Sequence, residues 1–135
     1  MAVQSPSAPR LAFVCASTAA AREAKARLEN IYGAATAAEA DIVVALGGDG
    51  LMLQALHRNM RRLKPIYGMN LGTVGFLLNT YQEANLLKRL KKARQVTLTP
   101  LRMLATNTRG KTTEVLAINE VSLLRSSRQT ARIEV

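Results

Sequence analysis

The sequence predicts an α/β fold, in which a parallel-sheet domain of the doubly wound kind is followed by the first strands of a β-rich second domain. Three observations predict it. Short apolar runs alternate with helical patterns over roughly the first two thirds of the chain. One of these runs leads directly into a cluster of glycines. The apolar residues then change to the two-residue period of strands. We therefore predict an α/β domain over residues 1–95 and a second domain over residues 96–135.

The first elements form a strand and a helix. Residues 1–9 are small and polar and predict a loose tail. Residues 11–16 form a short apolar run, which is typical of a buried strand. Thr18 is a good N-cap for an alanine-rich helix that extends to Ile31, and Gly33 is expected to end this helix.

The middle of the chain repeats this pattern. Residues 41–46 are apolar on both faces, as in the central strands of parallel sheets. Residues 51–60 predict a helix with one apolar stripe, and residues 65–69 predict another short strand. A loop over residues 70–75 and a helix over about residues 81–93 follow.

The last part of the chain predicts strands. Residues 96–107 and 112–125 form two of them around a hairpin turn at residues 109–111. Residues 131–135 alternate apolar and charged residues in the manner of a further strand. Because a strand without a partner leaves backbone groups unpaired, we expect the natural polypeptide to continue beyond Val135.

The composition limits the kind of protein. Of the 135 residues, 48% are hydrophobic and only 4% are aromatic, so the core is expected to be aliphatic. The net charge of +10 favours a polyanionic partner, either a nucleotide phosphate, a nucleic acid or an acidic lipid. The basic cluster at residues 88–94 is expected to be a solvated helix face. No apolar run approaches the roughly 20 residues of a membrane span, and the first ten residues do not resemble a secretory signal.

Two single residues are expected to have no chemical role. Cys15 is the only cysteine, which excludes an internal disulfide and a zinc site with several cysteines. A reducing setting fits best, so we expect a cytoplasmic protein without membrane contact, with Cys15 as a buried and inert thiol. His57 is the only histidine, and on its predicted helix it is expected to be structural or exposed.

The most informative segment is Asp41–Gly50, in which a buried strand runs into three glycines and one carboxylate, Asp49. Glycines at this position allow positive-φ turns and a close approach of the backbone to a ligand. The free N–H groups and the dipole of the next helix point at the same spot, as in sheets that bind phosphate-bearing ligands. The sequence thus predicts a nucleotide-binding domain. A carboxylate repels phosphate, so Asp49 is expected to face a hydroxyl or a metal ion.

A simpler alternative is a plain strand-to-helix turn in which Asp49 caps the helix. The segment matches neither of the common phosphate-binding signatures. It lacks the Gly-Lys-Ser/Thr ending of a Walker loop, and Leu53 stands where a dinucleotide fingerprint has its third glycine.

Three separated segments together resemble the NAD kinase family: LGGDG at residues 46–50, NLGTVGFL at 70–77 and INEVSLL at 118–124. The GGDG motif alone also occurs in phosphofructokinases and in lipid kinases of the diacylglycerol and sphingosine type. The three segments in this order, with these separations, are far more specific. One departure is Leu51, since many members of the family carry Thr directly after GGDG.

The resemblance implies a phosphoryl transfer from ATP to the 2′-hydroxyl of the adenosine ribose of NAD, which yields NADP. It implies that Asp49 accepts the proton of that hydroxyl. Gly47, Gly48 and Gly50 would bring main-chain N–H groups near the dinucleotide. Mg²⁺ or another divalent cation would bridge the donor phosphates, with no metal ligand assigned among the residues of the chain.

Four further residues match positions that contact the nucleoside in that family. By resemblance, Phe76 and Leu53 flank the adenine, although core packing explains either residue alone equally well. Asn119 and Glu120 match the family's Asn-Glu pair, and an amide and a carboxylate suit a nucleoside. Without the resemblance, a hairpin pair on a solvated face is the simpler explanation. In a strand these two side chains point to opposite faces unless the backbone bends there.

The resemblance extends from about Leu11 to Val135, but the family's later segment rich in glycine, serine and threonine is not found. It therefore implies an amino-terminal fragment, which need not be active alone, of a protein that forms dimers or tetramers when complete.

Two alternatives to a NAD kinase stay open. A lipid kinase needs an apolar acceptor channel and membrane contact, and the segments after GGDG argue against it. A basic nucleic-acid-binding module fits the charge, but the aromatic residues are too dispersed, so we expect no nucleic-acid partner.

Overall fold

The computed structural model describes residues 8–72, 75–122 and 130. The chain divides into two compact units, a first unit of residues 1–97 and a second unit of residues 98–135. Residues 1–7 of the predicted tail and the predicted strand at 131–135 lie outside the described residues. No helix among the described residues is long and apolar enough to cross a membrane.

The first unit is built on a four-stranded parallel sheet. Its strands are β1 (Leu11–Cys15), β2 (Ile42–Gly47), β3 (Ile66–Asn70) and β4 (Asn79–Thr80). They lie side by side in chain order, and every neighbouring pair is parallel, which confirms the predicted α/β sheet. The order does not reverse among these described strands, so the switch of direction found in doubly wound sheets is absent from them. The sequence does not predict β4, because two residues carry no detectable period.

Helices cover both faces of the sheet. Helices α1 (Ala19–Tyr32) and α3 (Leu86–Lys92) contribute to the core on one face, whereas α2 (Asp49–Asn59) lies on the other. A Cβ atom at Gly68, which points away from that core, would lie 3.2 Å from the Sδ atom of Met52 in α2. The predicted aliphatic core is confirmed except for one aromatic member, Phe13; the other members are Leu11, Ala24, Leu28, Val44, Leu46, Met69 and Leu86.

Both ends of α1 follow the prediction. The Thr18 hydroxyl accepts a hydrogen bond from the Ala21 N–H at 3.3 Å, so Thr18 is the N-cap. Gly33 adopts a φ of 76°, and its N–H donates to the Glu29 carbonyl at 2.9 Å. This positive φ, which favours glycine, ends the helix where the sequence predicts.

Helix α3 begins five residues later than predicted, at Leu86 and not at Tyr81. The preceding segment is held by side chains of α1. The Arg27 Nε donates to a Glu83 carboxylate oxygen at 2.7 Å, and the Tyr81 hydroxyl donates to the same oxygen at 2.8 Å. The Tyr32 hydroxyl donates to the Glu83 carbonyl and accepts from the Leu86 N–H at 3.1 Å. These contacts replace the hydrogen bonds that a longer helix would make.

The basic cluster at residues 88–94 is solvated except at Arg89. Lys88, Lys91, Lys92 and Arg94 are exposed, as predicted. Arg89 is half-buried and donates to the carbonyls of Thr80 at 2.7 Å and Gln82 at 2.8 Å. Its guanidinium also lies 5.7 Å from the centre of the Tyr67 ring. Arg89 therefore links α3 to the sheet, and for this residue the prediction of a solvated face is wrong.

The second unit is an antiparallel hairpin of β5 (Leu101–Thr106) and β6 (Thr112–Ala117). Its predicted turn is confirmed: Gly110 has a φ of 78°, and the Asn107 Oδ1 accepts from the N–H groups of Arg109 and Lys111, both at 3.0 Å. Both strands are shorter than predicted. β5 begins at Leu101 and not at residue 96, and β6 ends at Ala117, well before residue 125.

Candidate functional site

The candidate site lies where β2 and β3 end at the same edge of the sheet. Gly47, the last residue of β2, pairs with Asn70, the last residue of β3. The Leu71 N–H donates to the Gly47 carbonyl at 3.0 Å, so the pairing continues into the loop. Two of the three motifs, LGGDG and NLGTVGFL, are thereby brought together. This is the carboxyl edge of a parallel sheet, where α/β proteins bind ligands.

Asp49 is the residue that joins these two motifs. It is half-buried and is the first residue of α2. One carboxylate oxygen accepts a hydrogen bond from the Phe76 N–H and the other accepts from the Leu77 N–H, both at 3.0 Å. The N-cap of α2 is Gly48, which makes no side-chain cap, so the alternative in which Asp49 caps the helix is wrong. The sequence does not predict these backbone partners, which lie 27 and 28 residues further along the chain.

The three glycines around Asp49 serve different purposes. A Cβ atom at Gly47 would lie 2.9 Å from the Leu51 Cδ2 and 3.2 Å from the Ala16 Cβ, so Gly47 is required by close packing. Gly48 and Gly50 have no atom within 4 Å of such a Cβ and leave open space beside Asp49. The predicted positive-φ turns are wrong here, because among the described glycines only Gly33 and Gly110 have positive φ. Absent side chains, and not unusual backbone angles, open this site.

Leu51, the departure from the family pattern, is part of the same packing. Its side chain occupies the space next to Gly47. The α2 helix folds back over the end of β2, so the Leu51 side chain fits only because Gly47 has no side chain.

Asn70 shapes the loop that carries the partners of Asp49. Its Oδ1 accepts a hydrogen bond from the Gly72 N–H at 2.8 Å. A Cβ atom at Gly75 would lie 3.2 Å from the Asn70 Cγ and 3.3 Å from its Nδ2. Asn70 is not among the site residues predicted from the sequence. The signal that could have found it is an asparagine two residues before a glycine, which is typical of a turn closed by the asparagine side chain.

The predicted adenine-flanking residues differ in exposure. The Phe76 side chain is 90% exposed, although its N–H holds Asp49. Leu53 is half-buried on α2. An exposed aromatic ring costs free energy in water, so Phe76 is available to stack on a base.

Asn119 and Glu120 belong to the second unit and are both exposed. Asn119 has a φ of 78°, in the left-handed region, so the backbone bends directly after β6. The two side chains are therefore not the opposite-facing neighbours that a continuous strand predicts. Few residues other than glycine adopt this conformation, and asparagine does so most readily.

The remaining candidates have no part in the site. His57 is exposed on α2. Cys15 is a free thiol and is half-buried, not fully buried as predicted. Within residues 8–72 and 75–122, no group of three or more His, Cys, Asp or Glu residues could hold a metal ion.

Comparisons with known proteins agree with the arrangement of the motifs. Residues 6–95 match the family model described as the ATP-NAD kinase N-terminal domain. The chain is 48% identical over 130 residues to a NAD kinase of Caulobacter vibrioides, covering 96% of this chain and 50% of the relative. It is 51% identical over 128 residues to a NAD kinase of Rhizorhabdus wittichii, covering 93% and 50%. It is 46% identical over all 135 residues to a NAD kinase of Xylella fastidiosa, covering 52% of that protein. The chain thus spans about half the length of the curated relatives it matches.

Proposed function

The chain belongs to the NAD kinase family, and from that premise we propose that it supplies the GGDG-bearing part of an enzyme that phosphorylates NAD. The reaction transfers a phosphoryl group from ATP to the 2′-hydroxyl of the adenosine ribose, and the product is NADP. The observation that carries the proposal is the half-buried Asp49 carboxylate at the start of α2, beside the open faces of Gly48 and Gly50.

Asp49 is proposed to accept the proton of the ribose hydroxyl. Each oxygen of an ionised carboxylate has more than one lone pair, so the bonds from Phe76 and Leu77 leave capacity for a hydroxyl donor. Those two N–H groups also hold the carboxylate in one orientation. Phosphoryl transfer passes through a loose transition state and depends mainly on positioning, so a fixed acceptor suits it better than a strong but mobile base.

Gly48 and Gly50 are proposed to admit the dinucleotide close to the backbone. The first N–H groups of a helix lack partners within the helix and attract phosphate. A side chain at either glycine would occupy the open space in front of α2. Gly47 is proposed to contribute only through packing and through its place at the end of β2.

The side chains of Phe76 and Leu53 are proposed to contact the adenine, and Asn119 and Glu120 the nucleoside. The exposure of Phe76 supports the first part, because a free aromatic face can stack on a base. The bend at Asn119 supports the second, because it frees the Asn119 and Glu120 side chains from the opposite-facing arrangement of a continuous strand.

We further propose ATP as the phosphate donor, a divalent cation such as Mg²⁺, a cytoplasmic location and assembly into homo-oligomers. Among the described residues, no group of three or more His, Cys, Asp or Glu could hold a metal ion. A cation would therefore be held mainly by the donor phosphates, as Mg²⁺ commonly is. No observation favours a lipid kinase or a nucleic-acid-binding module.

The test is NADP formation from NAD and ATP by the full-length product of the gene that encodes this chain. Asp49→Asn is expected to lower turnover by about 100-fold or more, because it removes the proton acceptor. The affinity for NAD, measured by calorimetry, is expected to stay within about threefold, because asparagine keeps the shape and one of the two acceptors.

The matched control is Asp41→Asn, the same change directly before β2, where the carboxylate is exposed and pairs with Arg10 at 3.3 Å. We expect it to leave turnover within about twofold, since surface ion pairs contribute little. Turnover of Asp49→Asn close to that of the unmodified protein would refute the proposed role.

A further inference from the structure

Asn70 has its position set by three strands. It is the last residue of β3, and its backbone pairs with Gly47 of β2 on one side and with Thr80 of β4 on the other. The residue is half-buried. Since both neighbouring strands hold the backbone here, the starting point of the Asn70 side chain is fixed by the sheet.

The Asn70 carboxamide lies between two glycines of the loop. Its Oδ1 accepts from the Gly72 N–H at 2.8 Å, which sets the beginning of the loop. Its Cγ and Nδ2 lie 3.2 and 3.3 Å from the position that a Cβ of Gly75 would occupy, so Gly75 packs directly on the amide. One side chain therefore determines where the loop leaves the sheet and where it returns.

The returning end of the loop carries the two donors that hold Asp49. Phe76 follows Gly75 directly, and its N–H donates to one carboxylate oxygen while the Leu77 N–H donates to the other. Only one peptide unit separates the glycine that packs on Asn70 from the first of these donors. A shift of Gly75 therefore moves both donors, and the carboxylate moves with them or loses them.

We propose that Asn70 is a positioning residue for Asp49. It acts through the backbone of Gly75, Phe76 and Leu77 and does not itself touch the substrate. Its consequence for catalysis rests on the proposed function of Asp49, whereas its consequence for the loop does not. Two measurements on the same full-length protein distinguish the effect of Asn70 on the loop from its effect on catalysis.

The first measurement is hydrogen exchange at the backbone amides of Phe76 and Leu77. In Asn70→Ala we expect both amides to exchange about tenfold faster, because the loop that presents them to Asp49 has lost its support. The amides of Val44 and Leu46 in β2 are expected to change by less than about twofold. A purely structural role would accelerate all four amides alike.

The second measurement is the steady-state kinetics of NADP formation. Misplacing an acceptor without removing it is expected to lower kcat by about tenfold and to change the KM for NAD by less than about threefold. A weakened NAD site alone would produce the opposite pattern, with KM raised and kcat unchanged.

Two further variants serve as controls. Asn59→Ala loses a comparable bond, from its Nδ2 to the Ala55 carbonyl at 2.8 Å, at the far end of α2. It is expected to leave the Phe76 and Leu77 amides and kcat unchanged. Asn70→Asp keeps an oxygen acceptor for Gly72 and is expected to keep exchange at both amides within about threefold, even if the alanine variant does not fold.

The outcomes decide between the two proposals. Unchanged exchange at Phe76 and Leu77 in Asn70→Ala, or equal acceleration of all amides, would overturn the positioning role. So would a loss of protection in Asn70→Asp as large as in the alanine variant. Normal NADP formation with an unchanged kcat in Asn70→Ala would overturn only the link to catalysis. If the unmodified protein makes no NADP, the proposed function fails, and amide exchange still decides whether Asn70 places Asp49.

Discussion

Leu28, Leu46 and Met69 are fully buried in the first unit, whereas no described side chain of the second unit is buried and Leu104 on β5 is 58% exposed. The first unit thus has a core of its own between its sheet and its helices. The second unit is held by the ladder between β5 and β6 and by a few cross-strand pairs. Arg102 and Glu114 form two hydrogen bonds at 2.9 Å, and the hydroxyls of Thr106 and Thr112 lie 2.9 Å apart.

This difference teaches where stability resides in the chain. Burial of aliphatic side chains is the main favourable term in folding, and it is concentrated in the first unit. A two-stranded hairpin is at best marginally stable in water. Substitutions in the first unit should therefore change its free energy of unfolding, and those in the hairpin should act locally.

The largest expected effect on the free energy of unfolding comes from comparing a buried leucine of the first unit with an exposed leucine of the second. Leu28→Ala, in α1, is expected to lower the free energy of unfolding by about 3 kcal/mol, because it leaves a cavity in a closed core. Leu104→Ala makes the same change on an exposed strand and is expected to cost less than about 0.5 kcal/mol. Urea denaturation measures both. Equal costs would mean that the hairpin is buried in solution.

The next comparison uses two glycines with nearly the same positive φ. Gly33 ends α1 with a φ of 76°, Gly110 turns the hairpin with a φ of 78°, and a Cβ atom at either position would have no atom within 4 Å. Alanine at either position therefore adds only backbone strain, about 1–3 kcal/mol. Gly33→Ala is expected to lower the unfolding midpoint of the first unit. Gly110→Ala is expected to leave that midpoint unchanged and to accelerate amide exchange in β5 and β6.

The two alanine variants serve as controls for each other, since each adds a Cβ atom that meets no other atom within 4 Å. A midpoint lowered equally by Gly110→Ala and Gly33→Ala would show that the two units unfold together.

The smallest expected effect concerns pH. The hydrogen bond from Arg27, and next that from Tyr81, hold the pKa of Glu83 below its usual value. A lowered pKa in the folded state means that this contribution to stability is present at neutral pH and is lost as the pH falls through the folded-state pKa. Glu83→Gln is therefore expected to be slightly less stable than the unmodified chain at pH 7, and the difference should shrink as the pH falls toward 3.

Thermal unfolding midpoints across this pH range provide the measurement. Glu114→Gln removes the exposed partner of Arg102 in the hairpin and is expected to leave the midpoint of the first unit unchanged. A difference between Glu83→Gln and the unmodified chain that stays constant from pH 7 to pH 3 would contradict the assignment.

Local signals predicted much of the fold. Thr18 and Gly33 set the ends of α1, the doubly apolar run at residues 42–46 predicted a central strand, and Gly110 predicted the hairpin turn. The start of α3 could not be predicted. It depends on Arg27 and Tyr32, which lie more than 50 residues earlier than the partners they bind.

The candidate site likewise has features that the sequence predicted and features that it could not predict. The LGGDG and NLGTVGFL segments identified the family, and the family model confirms it. The roles assigned to Gly47, Gly48 and Gly50 stay predictions, but the physical reason for glycine changed from positive φ to available space. Periodicity and motif spacing predict secondary structure, and they do not predict which atoms of other segments pack against a given residue.

By itself, the amino-acid sequence determined the parallel α/β class, the position of most elements and the family, because these depend on residues that are neighbours along the chain. Only the tertiary structure decided that Asp49 binds the N–H groups of Phe76 and Leu77, that Asn70 supports the loop carrying them, and that Arg89 packs against the sheet. Hydrogen bonds between distant segments require the sheet edge to be assembled first, and no local pattern encodes the distances across it.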